Sequence, residues 1–386
     1  MKTFNLTTFD LGRLEDFRHD DFMTNLSVAI DISPLKASSG HKVRGVGFYI
    51  ENLKKALLEH FPQNRYQFFT KGDTIEKSTD VVHYPYFEPF FLSLPIIKRY
   101  KTVVTVHDLT PIIFPKHFPS GIKGALRWQM QKISLLRSDG IITDSYTSQE
   151  DIAGILGIEK KQISVAYLAA AEEFRKLQPG NWKQEIIKKY NLPEKFVLYV
   201  GDVTWNKNLP RLIEAIKEIN LTLVLVGRTI AESSFDSTNP WNKDILTVQK
   251  MIKGDKRFIR LGFILPQDLV SLYNTAAVFV FPSIYEGFGL PIVEAMQSGC
   301  PVVLSEESCL PEIGGKAVYY VNPHNTNSIA NGIGEVFFSG KLQKDLSEKG
   351  LTQAKKFSWK KTAEETIKAY QRVIKSSSLK SSSNEV

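Results

Sequence analysis

The stretch of sequence richest in chemical groups runs from Phe279 to Met296. There a β-rich run gives way to Pro282-Ser-Ile-Tyr-Glu-Gly-Phe-Gly-Leu-Pro291 and then to a helical pattern. Pro291 suits the first helical position, where its missing N–H costs nothing. Gly287 and Gly289 let the backbone approach a ligand closely and adopt positive φ. The helix start that follows offers unpaired N–H groups, including those of Phe288 and Leu290, and the positive end of a dipole. Together these form an anion site suited to a diphosphate. Glu286 opens the turn, where it can bind sugar hydroxyls, and Glu294 is expected on the first helical turn, where its carboxylate can accept from a ribose diol. The same residues also suit an ordinary strand–turn–helix connection with Glu294 complementing the helix dipole.

Two further groups belong with this turn. Lys207 follows a predicted strand and precedes a helix start at Asn208-Leu-Pro-Arg-Leu; it is either a solvated lysine or a point charge for an anion. His107 and Asp108 close an apolar strand at its carboxyl end, which is the ligand edge of a doubly wound sheet. Gly45 and Gly47 stand before a helical pattern, with Arg44 beside them.

Positioning these groups requires two parallel sheets. Strands are predicted at 28–32, 66–69, 81–84, 102–106, 140–143 and 163–167, alternating with helical stretches at 46–60, 122–137 and 148–156. After a polar stretch at 177–192, which carries Pro179, Gly180 and Pro193 and reads as a linker, the alternation restarts. Its strands are predicted at 196–200, 221–226, 257–261, 278–281, 301–304 and 317–321, with helices at 209–219, 267–275, 291–297 and 341–355. Short β-rich runs separated by helices imply parallel sheets with helices on both faces. The expected organisation is an extra segment at 1–24, one Rossmann-like domain at 25–185 and a second at 186–356. A helix at 357–375 is expected to pack back on the first domain, ahead of a serine-rich disordered tail at 376–386.

Composition narrows the function classes. The chain has 386 residues, 42% hydrophobic and 11% aromatic, as in a core-forming protein. The formal charge of +8 favours anionic partners, but the basic residues are scattered and no zinc-finger or RNA-recognition spacing appears, so no nucleic-acid partner is expected. Cys300 and Cys309 are too few for a disulfide framework and lack metal-ligand spacing; with no D-x-D pair or histidine cluster, no metal is expected. The first 22 residues carry five acids and no apolar run, unlike a signal peptide, and either Met1 or Met23 can serve as the start. A cytoplasmic protein is expected, with peripheral association at the inner face of the membrane left open. The aromatic run Tyr84–Phe91 serves either as core or as a surface for a sugar or lipid acceptor.

The run F-V-F-P-S-I-Y-E-G-F-G-L-P-I-V-E-A-M-Q-S-G-C-P-V-V resembles the signature of retaining glycosyltransferases of the group-1, family 4 type. Their GT-B architecture sets two Rossmann-like domains across a cleft, and their E-x7-E motif matches Glu286 and Glu294. Gly45-Val-Gly-Phe-Tyr-Ile50 resembles the family's amino-terminal G-x-G-x-Y loop, which faces donor and acceptor, and Thr105-Val-His-Asp-Leu109 resembles its H-D-L segment. Tyr199-Val-Gly201-Asp-Val-Thr-Trp-Asn-Lys207-Asn-Leu-Pro210 resembles its phosphate-binding segment, and Leu310-Pro-Glu-Ile313 another recurring element. The likeness covers about residues 27–372.

The resemblance implies transfer of a sugar from a nucleotide diphosphate donor to a glycan or lipid-linked acceptor, without a metal. It implies that Lys207 and Gly201 lie at the donor diphosphate, that His107 contacts the transferred sugar, and that Asp108 either binds hydroxyls or orients its loop. Gly45, Gly47 and Arg44 then face the acceptor. The H-D-L-x-P style is similar to mannosyltransferases of bacterial surface-polysaccharide assembly, which makes GDP-mannose the first expectation for the donor and UDP-sugars the second. Two departures stand out: Asn206 replaces the usual Arg before Lys207, and Asp202 sits where relatives carry Arg. Arg228 or Lys316 would then supply the missing positive charge. A sugar-nucleotide epimerase and a non-catalytic sugar-binding relative are the alternative readings of this architecture.

Overall fold

The short Val-, Ile- and Phe-rich runs cannot bury both faces alone, and they pair side by side into two parallel sheets of six strands each. The computed structural model describes residues 25–36, 45–231 and 235–382, with side chains described as far as residue 376. The proposed starts Met1 and Met23, the segment 1–24, Arg44 and the last four residues lie outside the described residues.

In the first sheet the order is β2 (Arg65–Phe69), β1 (Ser27–Asp31), β3 (Val81–Tyr84), β4 (Lys101–Thr105), β5 (Gly140–Thr143), β6 (Ile163–Val165). Its helices are α1 (Gly45–His60), the short α2 (Thr110–Ile113), α3 (Gly121–Leu136) and α4 (Tyr146–Leu156). In the second sheet the order is β12 (Tyr319–Val321), β11 (Val302–Ser305), β10 (Val278–Phe281), β7 (Val197–Val200), β8 (Leu223–Val226), β9 (Phe258–Leu261). Around it lie α5 (Trp182–Tyr190), α6 (Leu209–Ile219), α7 (Arg228–Ala231), α8 (Lys243–Ile252) and α9 (Pro266–Thr275). They are followed by α10 (Leu290–Gln297), α11 (Leu310–Gly314), α12 (Thr326–Phe338) and α13 (Gly340–Ala354). Strand order reverses between β7 and β10, and loops leaving such a switch point form a ligand crevice. The loop after β7 carries Gly201 and Lys207, and the loop after β10 carries Glu286–Gly289.

All twelve predicted strands are present, displaced by at most a few residues. Three corrections follow. The polar stretch read as a linker contains α5, which packs on α9 of the second domain, so the domain boundary falls earlier than residue 186. Gly45 and Gly47 lie in the first turn of α1 and not in a loop before it. The final helix α14 (Trp359–Ser382) runs through residues expected to be a disordered tail.

As expected, α14 leaves the second domain and packs on α1, β4, β5 and β6 of the first. Its Thr362 donates to the Tyr167 carbonyl at 2.6 Å, and its Tyr370 hydroxyl lies 2.8 Å from His83 Nδ1 inside the core. Gly140 has no room for a side chain there, because a Cβ would sit 2.7 Å from Val373 Cγ2.

Candidate active site

The turn after β10 is buried from Ser283 to Gly289, a rare placement for a loop, and its backbone is tied to neighbouring loops at several points, although Ser283 Oγ is buried without a hydrogen-bond partner. Gly289 caps α10 with φ 92°, a conformation that favours glycine, and Pro291 stands in the first helical turn. The Glu286 carbonyl accepts from Ser308 Oγ at 2.9 Å. Asn206 Nδ2 donates to the Tyr285 carbonyl at 2.9 Å, and Ile284 N donates to the Asn206 carbonyl at 2.7 Å. Asn208, at φ 60°, donates to the carbonyls of Pro282 and Pro323. The departure at Asn206 thus joins the loops after β7 and β10, a task for a short amide and not for a long cation.

Lys207 is the cation of this wall. Its Nζ lies 2.7 Å and 2.9 Å from the two Glu286 carboxylate oxygens and 5.2 Å from the centre of the Phe281 ring. Both side chains are mostly buried, at 20% and 10% exposure, so the pair is only weakly screened. Because α10 starts at Leu290, Glu294 falls in its second turn and not its first; it sits behind the glycine turn, buried, accepting from the Tyr273 hydroxyl at 3.0 Å. Burial pushes its pKa up to about 7, with Glu173 adding to the rise and the Tyr273 hydrogen bond opposing it.

Across the cleft, β4 delivers His107. Its Nδ1 lies 2.7 Å from Asp144 Oδ2 at the end of β5, and the Tyr49 ring of α1 meets it edge-on with centres 4.8 Å apart. Burial alone would lower the His107 pKa. The Asp144 charge and hydrogen bond, helped by Asp108 and the Pro85 carbonyl, outweigh it, and the net shift is upward. His107 Nε2 and Asp144 Oδ1 are buried without a hydrogen-bond partner. Asp108 Oδ1 accepts from Thr110 N at 2.8 Å and so orients the loop into α2.

The two walls meet. A Cβ on Gly287 would sit 2.8 Å from the His107 carbonyl and 3.0 Å from Asp108 Cβ, so only glycine allows this approach. Ser148 Oγ of α4 donates to the Gly287 carbonyl at 3.3 Å, and the Tyr285 hydroxyl donates to Asp151. Glu312 of α11 accepts from Tyr146 N at 2.9 Å, at the start of α4, and from the Tyr167 hydroxyl at 2.7 Å. The domains are therefore closed on each other, and an open groove of about 520 Å³ lies elsewhere, near Gly299 beyond the far end of α10.

The family model described as Glycosyl transferases group 1 matches residues 182–353, and that described as Glycosyltransferase Family 4 matches residues 40–170. The O-antigen chain mannosyltransferase B of Escherichia coli is 31% identical over 296 residues, covering 75% of this chain and 75% of its own. This chain belongs to the group 1 glycosyltransferases. The serotype-specific mannosyltransferase WbdA of Escherichia coli is 28% identical over 286 residues; the match covers 72% of this chain but only 34% of WbdA. Sucrose-phosphate synthase from Thermosynechococcus elongatus shares the two-domain fold, with a TM-score of 0.69, 22% identity and coverage of 91% of this chain and 100% of its own.

In this glycosyltransferase the structure brings together Glu286, Gly287, Phe288, Gly289, Leu290 and Lys207 on one wall, with His107 and Asp108 against them. Gly201 follows β7 at φ 155° and leads into the Lys207 loop. Gly45 and Gly47 reach the site through Tyr49, two residues after Gly47 in α1. Arg228 is exposed at the start of α7, on the ligand edge of the second sheet, and no contact joins it to the turn; Lys316 is exposed beyond α11. The sequence reading missed Asp144, whose signal was an acid at the carboxyl end of a neighbouring strand, the same edge as His107. Among the described residues no group of three His, Cys, Asp or Glu could hold a metal ion.

Proposed function

We propose that this glycosyltransferase is a retaining hexosyltransferase that moves mannose from GDP-mannose to a glycan or lipid-linked glycan, working as a peripheral protein at the membrane surface. The observation that carries this reading is the Lys207–Glu286 pair, set at the glycine turn and facing His107 across the cleft. The names of the mannosyltransferase relatives support the sugar.

The donor diphosphate takes the amides of Gly287–Leu290 and the amino end of α10, and it competes with Glu286 for Lys207. Once displaced, the Glu286 carboxylate faces the sugar, where positive character grows as the anomeric bond breaks. Lys207 and the backbone amides then stabilise the charge developing on the leaving phosphate. His107, held by Asp144, lies on the opposite wall to meet the sugar hydroxyls, and the leaving phosphate takes the acceptor proton. The donor enters when the domains part and is enclosed when Gly287 returns to Asp108.

A thermal-shift screen of nucleotide sugars, followed by transfer to a mannosyl acceptor and analysis of the product anomer, tests this reading. GDP-mannose should give the largest rise in Tm, because ligand binding to the native state stabilises by mass action. The product should carry the donor's α configuration. A larger shift with UDP-sugars would replace the donor, and a β product would remove the retaining assignment.

A further inference from the structure

An ordinary amphipathic helix turns its apolar stripe inward. The helix α3 does the reverse. At about 100° per residue, Ile122, Leu126, Ile133 and Leu136 fall within an arc of roughly 80°, and all four are exposed, Ile122 by 91% and Leu126 by 65%. The face packed on the domain is instead made by Gly124, Trp128, Gln131 and Leu135. That inward face is well anchored: Gln131 Oε1 accepts from Ser93 N and Leu94 N, and Trp128 packs edge-on to Phe87. The outward stripe is therefore not a consequence of a misplaced helix.

The segment bound to α3 continues the pattern. Ser134 Oγ donates to the Pro95 carbonyl, which fixes residues 91–97 beside the helix, and Phe91, Leu92, Ile96 and Ile97 are exposed there, Ile97 by 80%. Of the large hydrophobic side chains exposed among the described residues, most lie on these two neighbouring segments.

Charge distinguishes the occupant. From Pro89 to Ser138 the chain carries eight lysines and arginines and one acid, Asp108, which lies in the cleft and accepts from Thr110 N. Arg99, Lys123, Arg127 and Arg137 are exposed beside the apolar stripe. A second copy of this chain would bring one cationic patch against another. A surface that is apolar inside and anionic at its border accepts both features at once.

We propose that α3 and residues 91–97 form the surface by which the protein lies on an anionic lipid bilayer, its Ile122/Leu126/Ile133/Leu136 stripe entering the headgroup boundary and its flanking cations facing lipid phosphates. No helix of the described residues is long and apolar enough to cross a membrane, so the contact is made in the plane of the surface. The proposal sharpens the peripheral location given above. It does not depend on the transfer reaction, since the surface is formed without donor or acceptor.

The test is sedimentation of the full chain with vesicles of phosphatidylglycerol and phosphatidylethanolamine, compared with phosphatidylcholine vesicles. Wild type should bind the anionic vesicles and lose that binding as salt rises, because exposed charges more than a Debye length apart are screened. Ile122→Gln with Leu126→Gln, and separately Lys123→Glu with Arg127→Glu, should each weaken binding by about tenfold or more, given about fivefold per cation near such a surface. All four positions are exposed and outside the cleft, so Tm and transfer to a water-soluble acceptor should stay at wild-type values. Wild-type protein that stays in the supernatant at low salt overturns the proposal, as do variants that bind like wild type. Sedimentation velocity that finds a wild-type dimer, split by the Ile122/Leu126 changes, would assign the face to a second copy instead. Loss of vesicle binding with transfer intact supports the surface; absence of transfer in wild type that still binds vesicles counts against the proposed reaction alone.

Discussion

On the carboxyl-terminal wall of the cleft, the candidate groups come from one buried turn and the loop beside it, locked together by Asn206, Asn208 and Ser308. On the amino-terminal wall, His107, Asp144 and Tyr49 arrive from the ends of β4 and β5 and from the second turn of α1. The first wall is built on one contiguous turn, Ser283–Leu290, with the Lys207 loop laid against it, so glycine and proline spacing announce its centre. The second is assembled from side chains brought together by the parallel sheet. A contiguous wall tolerates little change in any residue but reads directly from sequence. An assembled wall spreads its function over positions that look ordinary one at a time.

This contrast is sharpest at Lys207. The amides of its wall are fixed, and among the described residues no other cation touches the turn in the closed state, so Lys207→Ala should lower kcat by about 10²–10³-fold, the scale of losing one preorganised charge stabiliser. A near-normal rate would break the contrast by showing that Arg228 reaches the diphosphate once the domains open. On the other wall, Asp144→Asn should cost less, roughly 10–100-fold, as for other groups that orient a histidine. It should also lower the pKa of His107, which Asp144 now holds up, and move the pH–rate profile in the acid direction. The raised His107 pKa contributes stability that is present below its unfolded value and lost as pH rises through the folded one. The Tm difference between wild type and Asp144→Asn should accordingly shrink as pH rises. A variant with wild-type pH dependence would show that the pair is only packing.

The smallest effect belongs to Glu294. A carboxyl whose pKa is raised to about 7 binds its proton more tightly folded than unfolded. Between the ordinary carboxyl range and pH 7 the native state holds more protons, so the stability it contributes falls as pH rises. Glu294→Gln keeps the Tyr273 contact and removes the buried charge. It should be close to neutral at pH 5 and more stable than wild type at pH 8, by on the order of 1–3 kcal/mol. At the same time the donor KM should rise severalfold with kcat little changed, the mark of a contact made equally in ground and transition states. A fall in kcat would move Glu294 from the ribose to the reacting end.

How much could be read beforehand follows the same physical line. The strands were legible because buried parallel strands are near-continuous apolar runs, as in Val302–Ser305 and Leu223–Val226. The helix α12 was not, because Gly332 and Gly334 weaken its pattern; Gly332 is required, since a Cβ there would stand 2.3 Å from Val321 Cγ1. The helix α5 was obscured by its polarity: only Ile186 is buried along its length. Lys207 and the glycine turn were found from spacing, but their contact with each other was not, since an ion pair across 79 positions leaves no local trace. Asp144 lay in a Thr-Asp-Ser sequence that reads as a turn until the sheet sets it beside His107.

The route of α14 has a consequence for how the molecule is made. The last helix of the chain forms one side of the first domain's core, through Tyr370 against His83 and Val373 against Gly140. A ribosome releases the first sheet before α14, and that sheet lacks this side until α14 emerges. The second domain, by contrast, holds its own helices and can close as it appears. Of the two domains, the one synthesised earlier is thus completed later, and a nascent chain stalled before Trp359 would present the open flank of β4, β5 and β6 to the chaperones around it.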